Sequence, residues 1–191
     1  MTHTYARSLK KIVALAAVSF WAGMARAEMD EQNLAAVLRD MRADVKALGF
    51  DSATSYVWVH HTHLRKLETD YNSARDQYFA AWDNISKSLA MPYYPNLSMG
   101  WDSSPRTDQN CAWTPAGGYP FGNVIVNNTP ENFRKAAELI KSRLDANPKL
   151  PRIVTVNSWN EWTEGSYIEP DKETGFDYLE AILDVFGPTG K

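Results

Sequence analysis

The feature that most constrains this chain is a repeated order: a short β-rich run, a polar exit, then a helix. Residues 53–59 (Ala-Thr-Ser-Tyr-Val-Trp-Val), 97–101, 124–126 and 152–156 (Arg-Ile-Val-Thr-Val) read as strands. Between and around them lie helical patterns at 33–48, 71–89, 129–145 and 176–186. In the first, Leu34, Val37, Leu38, Met41, Val45 and Leu48 fall at helical spacing, and Gly49 follows as a C′ glycine. In the second, Tyr78, Phe79, Trp82, Ile85 and Leu89 share a side. The third opens on Thr129-Pro130, an N-cap followed by proline at N1. Strands separated by helices of this length imply βα units around a parallel sheet. Polar and aromatic residues collect just after the strands: His60-His61, Trp101-Asp102 and Asn160-Glu161. Barrels and open doubly wound sheets both place ligands at that end, so the pattern leaves both open.

The densest of these exits is Asn157-Ser158-Trp159-Asn160-Glu161-Trp162-Thr163-Glu164-Gly165-Ser166-Tyr167-Ile168-Glu169-Pro170. Glu161 and Glu164 lie three residues apart, interleaved with tryptophans and stopped by a glycine. Carboxyl pairs walled by aromatic rings suit glycoside chemistry: one carboxyl protonates the leaving oxygen while the other supports developing positive charge or acts as base. On an extended strand, residues three apart face opposite ways. On a helical turn they share a side, with Cβ atoms roughly 5–6 Å apart. The pair can therefore serve one substrate only if the chain curls after Trp159, and Gly165 permits that curl. The competing reading is an acidic loop that caps the next helix.

Composition narrows the partners. With net charge −3 and no basic excess, nucleic acid is not expected. A lone cysteine, Cys111, excludes an intrachain disulfide and a multi-cysteine metal site, and reads as a bystander in its loop. His60, His61 and His63 do not have a usual zinc spacing, so no metal or cofactor is expected; His60 is instead a candidate sugar contact. Trp113 and Tyr119 either line a sugar subsite or pack their loop. At the N-terminus, Arg7, Lys10 and Lys11 precede an apolar run at 12–22 and the small-x-small site Ala25-Arg26-Ala27. This reads as an export signal, residues 1–27, with a periplasmic or secreted domain at 28–191 and no membrane span after cleavage. The other reading is an amphipathic first helix of the fold.

The run from Trp159 to Ser166, followed by Ile168-Glu169-Pro170, resembles the signature of family 99 glycoside hydrolases and their WbsX-type relatives, which are often described as glycosyltransferases of polysaccharide loci. The upstream Gly100-Trp101-Asp102-Ser103-Ser104-Pro105-Arg106 is similar to the same family's Gly-Trp-Asp-x-x-x-Arg segment. Asn132-Phe133-Arg134, Gly175 and Tyr178-Leu179 also fall where that family has them. The resemblance implies a (β/α)8 TIM barrel acting on a glycan or polysaccharide, with endo-α-mannosidase as the best-known activity. It implies that Glu161 assists the sugar's own 2-hydroxyl in attacking the anomeric carbon, through a 1,2-anhydro intermediate, and that Glu164 is the acid/base, with net retention. Trp101, Asp102, Arg106, Asn160, Trp162, His60 and Glu169 become the expected substrate contacts, Asp102 and Arg106 as a substrate-facing ion pair, as binders of sugar hydroxyls, or as a plain loop salt bridge. A full barrel takes about 250 residues, so this chain is expected to hold only its C-terminal part, with self-association one way to complete it. A half-barrel that keeps the glutamates but not the subsites would instead be an inactive or carbohydrate-binding remnant.

Overall fold

The computed structural model describes residues 12–14, 47–89, 91–110 and 119–188. Most of the helix expected at 33–48, together with Cys111 and Trp113, lies outside them. The described chain is mixed α/β. Strands β1 (Ile12–Ala14), β2 (Ser52–Thr54) and β4 (Tyr93–Tyr94) pair in parallel, with Ala53 opposite Val13 on one side and Tyr93 on the other. Pro95, which has no N–H to give a ladder, separates β4 from β5 (Asn96–Ser98). Strand β5 pairs in parallel with β7 (Thr155–Asn157), Leu97 opposite Val156. The carbonyl of Pro95 accepts from Thr155 N at 3.0 Å, so bonding to the β7 segment begins at the proline itself. A second parallel pair joins β3 (Glu68–Asp70) to β6 (Val124–Val126). Among the described residues these strands do not close into a barrel.

The parallel order matches the sequence pattern, but the strands are shorter than expected. The run at 53–59 leaves the sheet after Thr54 and becomes a 3-10 turn, Trp58–His61. The cause is Trp58: its ring is fully buried, stacks on Tyr78 (centroids 5.3 Å apart) and donates its indole N–H to Asn96 O at 2.8 Å. A side chain that turns into the core takes its backbone off the ladder. Residues 152–154 likewise precede the first ladder rung, at Thr155. Ile12–Ala14, within the apolar run read as an export signal, is strand β1.

Helix α1 (Tyr71–Ser88) starts at Asp70, whose carboxylate accepts from Asn72 N and Ser73 N. Its buried tyrosines have satisfied tips: Tyr71 donates to Ser98 O at 2.7 Å, and Tyr78 accepts from Asn96 N at 2.7 Å. These bonds tie the helix to β5. Helix α2 (Pro130–Ala146) has Thr129 as N-cap and Pro130 at its first position. It buries Phe133, Ala136, Ala137, Ile140 and Leu144, and Phe133 meets Tyr178 of α3 (Asp177–Phe186) edge to face. Among the described residues no helix is long and apolar enough to cross a membrane.

Candidate active site

Three strand exits converge: the one after β2, which carries Tyr56, and those after β5 and β7. After β5 the chain passes through Gly100-Trp101-Asp102, and after β7 it folds into a hairpin, β8 (Asn160–Glu161) against β9 (Ser166–Tyr167). The tip of the hairpin is a 3-10 turn, Trp162–Glu164, closed by Gly165 in the left-handed region at φ 57°. This is the curl that the Glu161–Glu164 spacing requires. Gly165 is needed twice over: a Cβ there would lie 2.8 Å from Asp102 Cβ as well as carrying a positive φ. That close approach lets the two exits be stitched by backbone. Asp102 N donates to Glu164 O at 2.7 Å, and Ser166 Oγ donates to Gly100 O at 2.6 Å.

Arg106 is the hub. Its Nη2 meets Glu161 Oε1 at 2.7 Å and its Nη1 meets Glu164 Oε1 at 3.0 Å. Its Nε donates to Thr163 Oγ1 at 2.9 Å, and Nη1 also bonds the Tyr119 hydroxyl. One planar guanidinium therefore gathers both carboxylates and the turn between them, as the fixed fork of arginine allows and a lysine would not. The expected Asp102–Arg106 ion pair is not formed. Asp102 instead accepts at 2.8 Å from the N–H of Ser104, the first residue of the short 3-10 turn Ser104–Arg106 that carries the arginine.

The two glutamates differ in surroundings. Glu161 keeps 38% of its side chain exposed, Glu164 only 10%. Burial pushes the Glu164 carboxyl above the usual carboxylate range; the Tyr56 hydroxyl and Arg106 pull it back, and the charge of Glu161 adds to the rise. Tyr56 donates to Glu164 Oε2 at 3.1 Å. Burial first, then the Glu164 charge, push the phenol up to about 12. A buried carboxyl with a raised pKa beside a more exposed one is the asymmetry that acid and base roles require.

The remaining expected contacts are placed as follows. Trp101 is buried and bridges to Ile125, its ring 6.4 Å from those of His60 and Tyr119. His60 is half-buried, between Trp101 and Tyr56. Trp162 is 42% exposed; one face stacks on Tyr167 at 3.7 Å, and its N–H donates to Glu169 Oε2 at 2.8 Å. Asn160 and Trp159 are exposed at the base of the hairpin, away from the carboxylate cluster's bonds. His61 belongs to a different network, bonded to Ser55 Oγ at 2.7 Å. Among the described residues no three His, Cys, Asp or Glu side chains are grouped to hold a metal ion.

Tyr56 and Thr163 were not anticipated. A strand running to residue 59 would have put Tyr56 mid-ladder rather than at an exit. The signal that finds it is the buried Trp58, which ends the strand early.

The family model described as "Glycosyltransferase WbsX" matches residues 4–182. The chain belongs to the WbsX family. Among curated proteins it is similar to two described as "Uncharacterized protein WxcX", both from Xanthomonas campestris pv. campestris. One, from strain ATCC 33913, is 26% identical over 164 residues, and the other, from strain B100, is 27% identical over 164 residues. Each alignment covers 79% of this chain and 21% of the relative, so the chain spans about a fifth of the length of the curated relatives it matches. No solved structure matches it.

Proposed function

We propose that this WbsX-family chain carries a glycosidic-bond site in which Glu164 is the acid/base and Glu161 assists the attacking group. The observation that supports this most is the single arginine bridging two carboxylates of unequal burial at the ends of parallel strands. In the first step Glu161 takes the proton of the sugar's 2-hydroxyl as that oxygen closes on the anomeric carbon, while Glu164 gives a proton to the departing oxygen. In the second, the incoming water or hydroxyl attacks the anomeric carbon and gives its proton to Glu164, while the anhydro C–O bond breaks and Glu161 returns its proton to the 2-oxygen. Two inversions give net retention. Arg106, bonded to both carboxyls, stays beside the negative charge as it passes from Glu161 to Glu164, and Trp162 offers its open face to a pyranose ring, its edge held by Glu169.

The substrate is proposed to be a glycan or polysaccharide, cleaved by water in the manner of a retaining endo-α-mannosidase. Transfer to a second sugar hydroxyl is the other reading, favoured by the family's description as a glycosyltransferase. The two differ only in what enters after the first step. The parallel strands are read as part of a (β/α)8-type barrel, completed within a longer chain or by a second copy. Incubation with a panel of α-mannosides, with proton NMR of the first product, tests the mechanism: retention of the anomer is expected, and inversion would refute the two-step route. Added acceptor glycan separates hydrolysis from transfer.

A further inference from the structure

Tyr56 lies two residues beyond the end of β2, before the chain enters the Trp58–His61 turn. Its hydroxyl reaches Oε2 of Glu164, the oxygen Arg106 leaves free, since Arg106 bonds Oε1. The carboxyl is thus held on both oxygens, by donors from two different strand exits. The charged and titratable groups facing it are Arg106 from the Ser104–Arg106 turn, Glu161 from the hairpin, and Tyr56 itself. Asp102 touches Glu164 through backbone only, with its carboxylate turned to Ser104 N. Asn157, buried at the end of β7, adjoins the Tyr56 oxygen.

We propose that Tyr56 is a positioning residue for Glu164, fixing the plane of its carboxyl and favouring its ionised form. The terminal torsion of a glutamate is broad and two-fold. A carboxyl anchored at one oxygen can turn, whereas one anchored at both presents its oxygens in one arrangement before and after proton transfer. The phenol is suited to this work because burial and the neighbouring carboxylate keep it protonated, a donor across the neutral range rather than a base. The proposal rests on the acid/base reading of Glu164 for its catalytic meaning, but not for its electrostatics.

The test therefore reads the carboxyl directly. Glutamate labelled at Cδ is followed by carbon NMR through a pH titration of the full chain, the Glu164 signal being assigned by its loss in Glu164→Gln. In Tyr56→Phe the Glu164 midpoint should move to higher pH, because a donor to the charged form is gone. With 3-fluorotyrosine at position 56, a stronger donor of nearly the same shape, it should move to lower pH. Opposite shifts cannot come from a general loosening of the fold, and the fluorinated chain covers the case in which the phenylalanine variant folds poorly. On turnover, Tyr56→Phe should lower kcat roughly tenfold, the worth of about one such hydrogen bond, with KM little changed. An unchanged midpoint in both chains would overturn the proposal. Shifts of the expected signs in a chain where Glu164→Gln retains full activity would support the contact and refute the acid/base reading instead.

Discussion

Replacing Arg106 by Gln removes the one cation shared by two carboxylates, and the structure fixes both the size and the pH dependence of the effect. The bond to Glu161 is between half-exposed groups and contributes only about 0.2–1 kcal/mol. The bond to Glu164, whose side chain is 10% exposed, is a charge-assisted bond to a buried acceptor and is worth about 1.5–3 kcal/mol before allowing for the one-third exposure of Arg106 itself. A loss of about 2 kcal/mol follows at a pH where Glu164 is ionised. Its pH dependence has a definite sign. Glu164 titrates above the usual carboxylate range when folded, because burial outweighs its donors. Its folding contribution is therefore full below the unfolded value and lost as pH rises through the folded one. Removing Arg106 takes away a group that stabilises the ionised form, so the folded value rises further and the loss extends to higher pH. Urea unfolding of wild type and Arg106→Gln at about pH 8 and about pH 4 measures this. The destabilisation should be large at the higher pH and should shrink at the lower. Equal destabilisation at both, or none at either, would refute the claim that Arg106 acts on an ionised, buried Glu164.

Gly165→Ala should cost about 1–3 kcal/mol and open the contact between the two exits, since it combines a positive φ with a Cβ 2.8 Å from Asp102 Cβ; a thermal melt checks the first part and loss of turnover the second. Trp162→Ala should cost about 1 kcal/mol of stability, for the lost stack on Tyr167, and weaken binding of a polymeric glycan about tenfold in KM through the ring's exposed face. Export through residues 1–27 predicts a mature chain beginning at Glu28, without β1; N-terminal sequencing from the native host checks this, and a chain that retains Ile12–Ala14 contradicts it.

Much of the site was legible because its constraints are local. The Glu161–Glu164 spacing forces a turn if both are to meet one substrate, Gly165 marks where that turn closes, and the structure has both. Thr129-Pro130 sets a helix start by short-range bonding, and this too follows from sequence. What was not legible depends on distant partners. Glu68–Asp70 is polar and only three residues long, and becomes a strand because β6 lies beside it. Asp102 and Arg106 look like an ion pair in sequence, but Arg106 has two glutamates more than fifty residues away to bond, and Ser104 N claims Asp102. Tyr56 was hidden by a strand end that only the packing of Trp58 on Tyr78 determines.

The central claim is that Glu161 and Glu164 divide the work of breaking a glycosidic bond. It is tested most directly by the kinetics of Glu161→Gln and Glu164→Gln on aryl mannosides of graded leaving-group ability. Glu164→Gln should lose roughly 10²–10⁴-fold on poor leaving groups, which need its proton, and much less on activated ones. Glu161→Gln should be impaired on both, because the first displacement itself needs the base. Activity equal to wild type in both variants across the panel would contradict the account, leaving the hairpin an acidic loop tied down by Arg106.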